Sequence, residues 1–313
     1  MYPYQIVDAH CDTVGQIYQP TSLKGSAGHL DLPRMRLYQN WLQFFAVWAD
    51  AAEGIAAQEK KAGEIIGHFE AEMEENRKQI TPVIDYAGVM QAWSEEKTAA
   101  LLTIEGADYI DSLDKLQLYY KRGVRAVTLT WNNTNYIATG AGEKRPRTGL
   151  TEYGRTFVAE MNRLGMLVDV SHASEKTFWD VLETSRAPVM ASHSNSAAIC
   201  PHVRNLSDKQ FRALCEAGGV VGMNYCPQFI KSRGTATVDD LVRHIEHFME
   251  LGGEDHVGLG GDFDGISDTP SDLRGVEDVH TLLERLLARN YSEEQVTKIA
   301  GGNMLRLIEK VLK

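Results

Sequence analysis

The sequence has no apolar run approaching the roughly 18 residues that a membrane-spanning helix needs. It is short of basic residues: Lys and Arg number 32 against 43 Asp and Glu, a formal net charge of −11. That balance argues against a nucleic-acid backbone or an anionic membrane surface as partner. Cysteine is scarce, with only Cys11, Cys200, Cys215 and Cys226, and no two are spaced as CxxC. A disulfide framework is therefore not indicated, and four reduced thiols are the ordinary reading. There is no Pro/Gly/Ser-rich linker, no low-complexity stretch and no repeat of fixed period, so one domain over residues 1–313 is expected. Residues 1–10 carry neither a basic n-region nor an apolar h-region, so no secretory signal and a cytoplasmic location are expected.

What is present is a chain of 313 residues, 43% hydrophobic, enough to bury a sizeable core. Eight short apolar runs stand out, at 5–9, 42–48, 98–104, 124–130, 166–170, 188–191, 219–224 and 256–260. Several are rich in Val, Ile and Leu without clean alternation, as buried parallel strands are. Helical patterns separate them, at 58–79, 154–164, 174–184, 207–217 and 238–251, with Ser174 and Ser207 placed as helix starts. Eight strand–helix units predict a (β/α)8 barrel, with an open doubly wound sheet as the competing architecture.

The ends of these runs decide between the two. The first ends in Asp8-Ala9-His10-Cys11-Asp12, the third in Glu105, the fifth in Ser171-His172, the sixth in Ser192-His193 and the eighth in Asp262-Phe263-Asp264. Five distant strands each end in a ligand-type side chain, and a barrel converges them at its C-terminal face more readily than an open sheet does. His10 and Asp12 are two apart, so extended backbone projects both to one side. Glu105 closes an apolar run, where an unpaired carboxylate would be costly; its two oxygens could bridge two cations or meet an Arg. His10, Asp12, Glu105, His172 and His193 together make a nitrogen and oxygen set suited to two zinc ions. Asp262 ends its strand directly and is the candidate proton carrier, while Asp264 suits a turn cap. Arg204, in the loop after the sixth run, is a candidate clamp for a substrate carboxylate or a partner of Asp208.

Six ordered motifs, DAHCDT (8–13), TIEGAD (103–108), DVSHAS (169–174), ASHSNS (191–196), HVRNLSD (202–208) and GLGGDFDG (258–265), resemble the renal-type membrane dipeptidase family in its bacterial soluble form. Residues 288–311 resemble the family's C-terminal helices. The resemblance implies an amidohydrolase-type metal-dependent barrel with two zinc ions. His10 and Asp12 would hold one ion, His172 and His193 the other, and Glu105 would bridge. Asp262 would handle the proton, and Arg204 would recognise the dipeptide's C-terminal carboxylate. A D-residue at that position and a homodimer are further expectations of the family. Trp131 stands in a TLTW sequence where mammalian members carry a His. A tryptophan can only donate a hydrogen bond, so Trp131 and Asn132 are taken as substrate-binding positions and oxyanion stabilisation falls to zinc or a nearby Asn.

The expected function is a zinc-dependent dipeptidase acting on small dipeptides. The alternatives are a hydrolase of another carboxylate-bearing amide (an N-acyl amino acid) or of a lactone, and a metal-binding scaffold without turnover.

Overall fold

A computed structural model describes residues 1–16, 22–144 and 148–313. Nine strands run in chain order: β1 (Tyr2–Cys11), β2 (Tyr38–Trp48), β3 (Ile80–Pro82), β4 (Thr98–Glu105), β5 (Val124–Thr128), β6 (Leu167–Asp169), β7 (Met190–Ala191), β8 (Val220–Met223) and β9 (Val257–Leu259). All pairings between these strands are parallel. β2 pairs with both β1 and β4, and β9 pairs with β1, so eight strands close into a ring and the architecture is a (β/α)8 barrel. The eight apolar runs are the eight ring strands. The ninth, β3, lies outside the ring against the first residues of β4, at Ile80 opposite Thr98.

The helices between strands follow ordinary capping chemistry. Ser174, Ser207 and Thr237 each accept a backbone N–H at the start of Glu175–Thr184, Asp208–Glu216 and Val238–Glu250, and the last two close full capping boxes. The long amphipathic helix runs Ile55–Glu75 and stops at Asn76, whose side chain bonds back to Glu72.

Alternate strand residues divide between two cores. Val7, Leu42, Phe44, Ala99, Leu101, Ala126, Leu167, Met190 and Val220 fill the barrel together with Met304, Leu307 and Ile308 of the C-terminal helix (Asn303–Val311). Their neighbours, such as Phe45, Leu102, Val127 and Val221, face the surrounding helices. The C-terminal helix lies at the N-terminal end of the strands, where Lys310 approaches Gly218 and Lys313 approaches Gly165. The opposite end is left to the loops.

One irregularity positions the site. From Asp8 to Cys11 β1 advances three residues while β2 advances two, from Gln43 to Phe45. The extra residue inverts the inside–outside alternation. Val7 and Ala9 lie in the barrel, but Cys11 packs in the outer core, and His10 and Asp12 therefore turn inward.

Candidate metal centre

The inward turn brings His10 and Asp12 to Glu105 at the mouth of the barrel. His10 Nε2 lies 3.3 Å from Asp12 Oδ2, 3.7 Å from Glu105 Oε2 and 3.9 Å from Asp262 Oδ1. The other oxygen of Glu105, Oε1, lies 2.9 Å from His172 Nε2 and 3.4 Å from His193 Nε2. One carboxylate thus presents one oxygen to His10 and the other to the histidine pair. Asp262 joins the first group: possible ligand atoms of His10, Asp12 and Asp262 lie within 4.8 Å of one another, as do those of His10, Glu105 and His193.

The backbone is strained where these side chains are aimed. His172 and Asp262 have φ of +62° and +59°, a left-handed conformation that non-glycine residues adopt at a cost of order 1–3 kcal/mol. Asp264 shares it at +64° and ties the loops together: its carboxylate accepts from Thr13 Oγ1 at 2.6 Å and from the His29 N–H at 2.7 Å. Gly265 is required next to it. A Cβ there would collide with the carboxylate oxygens of both Asp12 and Asp262.

The donor set fits cations. Asp12, Glu105 and Asp262 are all buried, and the Arg204 guanidinium acts on both Glu105 and Asp262. Burial drives the Glu105 carboxyl up to about 8 and the Asp262 carboxyl up to about 6. Burial works against a charged His10, but Glu105, Asp12 and Asp262 outweigh it and hold its imidazole up at about 10. His172 and His193 go the other way: burial first, then Arg204 and His10, push them well below the ordinary histidine value, so both are neutral. His172 Nδ1 contacts Asn132 Oδ1 at 3.0 Å, which can only accept, so the ring proton sits there and Nε2 carries the lone pair. His193 Nδ1 likewise contacts Ser192 Oγ at 2.7 Å. The Nε2 atoms of the two rings face each other at 3.0 Å beside a carboxylate oxygen, an electron-rich convergence that a cation relieves. His10 Nε2 is itself buried without a hydrogen-bond partner.

Around this centre lies a cavity of about 810 Å³, lined by Asp12, Glu105, His172, Arg204 and Asp262. Trp48 and Trp131 form one wall, edge to face with centroids 5.3 Å apart; Asn132 also lines it. Arg204 is 5% exposed, donates to His193 O at 3.3 Å, and leaves its Nε without a partner. Its guanidinium lies 5.6 Å from the Phe229 ring centroid. No pairing with Asp208 is formed; Asp208 binds His247 instead.

Several supporting residues escaped the sequence reading. Asn224, at the end of the seventh apolar run, donates to Asp262 Oδ2 at 3.0 Å and leaves Oδ1 facing His10. Asp8 accepts from the backbone N–H of His10 and Gly261 and so clamps β1 to the strand that delivers Asp262. Strand-end position was the signal that could have found Asn224. Nothing in the chain marks what Asp8 holds.

Known proteins give this centre its context. The family description "Membrane dipeptidase (Peptidase family M19)" matches residues 1–313. A relative described as an uncharacterised dipeptidase, from Schizosaccharomyces pombe, is 42% identical over 68% of this chain, and that match spans 53% of its own length. The solved structure of dipeptidase AC, a metallopeptidase of family M19, superposes with a TM-score of 0.90 at 29% identity, covering 99% of both chains. A metallopeptidase from Rhodobacter sphaeroides, liganded with a phosphinate mimic of the dipeptide L-Ala-D-Ala, gives a TM-score of 0.89 at 28% identity and 99% coverage of both. The chain thus belongs to the membrane dipeptidase family, peptidase family M19, and it carries at the mouth of its barrel histidine and carboxylate groups placed so that they could hold a metal ion.

Proposed function

We propose that the protein hydrolyses dipeptides with two zinc ions, and accepts a D-residue at the C-terminal position. The observation that carries the two-ion reading is Glu105, whose oxygens face two separate groups of donors. His10 and Asp12 would hold one ion, His172 and His193 the other, with Glu105 between them. When bound, paired zinc ions lower the pKa of water and polarise a carbonyl.

The chain's own residues supply the rest. The dipeptide's carboxylate pairs with the Arg204 guanidinium, whose buried Nε has no other partner. Asp262, anchored through Oδ2 by Asn224, takes the proton from the attacking water and returns it to the leaving amine. Trp48 and Trp131 exclude water from one side of the cavity. Tolerance of a D-residue is supported by the M19 relative that binds an L-Ala-D-Ala mimic.

A substrate comparison tests the reading. A dipeptide should be cleaved, while the same dipeptide with an amidated C-terminus should be a poor substrate. Equal rates would remove Arg204 from recognition. Faster cleavage of an N-acetyl amino acid than of any dipeptide would move the substrate to acylated amino acids.

A further inference from the structure

His172 and His193 are equivalent in sequence, each at a strand end and each preceded by serine, yet the structure supports them differently. Behind His172 stands a neutral amide oxygen, that of Asn132. Behind His193 stands a hydroxyl backed by a carboxylate. Ser192 Oγ lies 2.7 Å from His193 Nδ1 and 2.5 Å from Asp169 Oδ2. A hydroxyl has one proton, and the carboxylate is its closest acceptor. The Ser171 Oγ contact at 3.3 Å is longer, and that oxygen already accepts the His193 N–H at 3.0 Å. With its proton directed to Asp169, Ser192 Oγ must accept from His193 Nδ1–H.

Asp169 is built to hold this arrangement. It is 1% exposed and carries no salt bridge among the described residues. Its Oδ1 accepts the N–H groups of Ser171 and Ser192, each at 2.9 Å. Its Oδ2 accepts Thr128 Oγ1 at 2.6 Å as well as the Ser192 hydroxyl. Four donors thus fix its two oxygens in place. The group also joins three adjacent ring strands, β5, β6 and β7, at the level of the site.

We propose that Ser192 and Asp169 are positioning residues for His193: their relay keeps the ring proton on Nδ1, leaves Nε2 facing Glu105 and His172, and strengthens the ion site that His193 shares with His172. Metal-bound histidines backed by a carboxylate are better donors, and loss of such support typically weakens binding 10- to 100-fold. The inference rests on the two-ion reading above.

The test is a titration of Zn²⁺ alone into metal-free wild type, Ser192→Ala, Ser192→Thr and Thr128→Val, with affinities taken from competition with a chromophoric chelator. Wild type should take up two ions. Ser192→Ala should keep one at wild-type affinity and bind the other about 10- to 100-fold more weakly. Ser192→Thr, which retains the hydroxyl, should restore it, and Thr128→Val, which removes only a donor to Asp169, should bind both ions as wild type does. If Ser192→Ala does not fold, Asp169→Asn takes its place, because it removes the charge at constant volume. Wild-type affinity for both ions in the Ser192→Ala (or Asp169→Asn) protein would overturn the proposal. So would a Ser192→Thr protein as weak as the alanine variant. Uptake of fewer than two ions by wild type would instead overturn the two-ion reading, and the inference with it, before any variant is made.

Discussion

Glu105 does at the residue scale what no neighbour can duplicate, because its two oxygens face two histidine groups. Replacing it with Gln substitutes an N–H donor for one of those oxygens, toward either His10 or the His172/His193 pair. The Glu105→Gln variant should keep its circular dichroism and lose turnover; near-wild-type hydrolysis would remove the bridging role. Arg204 is the second test. Lysine keeps the charge but loses the planar fork. Arg204→Lys should lower kcat/KM by roughly 10- to 100-fold, about 1.4–2.8 kcal/mol, mostly through KM. An unchanged KM would place the substrate carboxylate elsewhere. That His10, Asp12, Glu105, His172 and His193 converge was legible because strand ends are chemically unusual places for His and Glu. Their supports were not: Asp8, Asp169 and Asn224 act through hydrogen bonds between residues up to 253 positions apart.

At the scale of elements, the loop that carries Arg204 and the short helix Pro227–Ile230 that carries Phe229 are latched by one histidine. His244, on Val238–Glu250, accepts the Ser196 N–H at Nδ1 (3.1 Å) and donates through Nε2 to Ile230 O (2.9 Å). Burial, with a smaller contribution from His247, outweighs the Ile230 bond and holds its pKa down at about 4, against an ordinary 6.5. The unfolded chain therefore takes up this proton first. The latch contributes its full stability above about pH 6.5 and loses it as pH falls toward 4. Urea midpoints for wild type and His244→Gln should converge over that interval, whereas a constant gap would show that His244 does not titrate on unfolding. The ring strands were readable as apolar runs because both faces of each are buried. β3 was not, since three residues, the last of them a proline, leave no pattern. The bulge in β1 was equally hidden: the HxD spacing shows that two side chains share a face, but only the register with β2 shows which face.

For the whole molecule, ring closure matters most. It brings the ends of β1, β4, β6, β7 and β9 to one mouth, so residues as far apart as His10 and Asp262 share a site. Because three buried carboxylates and three imidazoles converge there, ion binding should stabilise the native state as a whole. At a free zinc concentration 100 times the dissociation constant, one site contributes about 2.7 kcal/mol. The melting temperature should rise by several degrees on zinc addition and fall again with a chelator; no shift would mean that the cluster does not bind the ion. Most direct is the hydrolysis of L-Ala-D-Ala and L-Ala-L-Ala by zinc-reconstituted protein beside a chelated sample. The proposed function predicts cleavage of both that depends on zinc. Two tightly bound zinc ions per chain with neither dipeptide cleaved would contradict it.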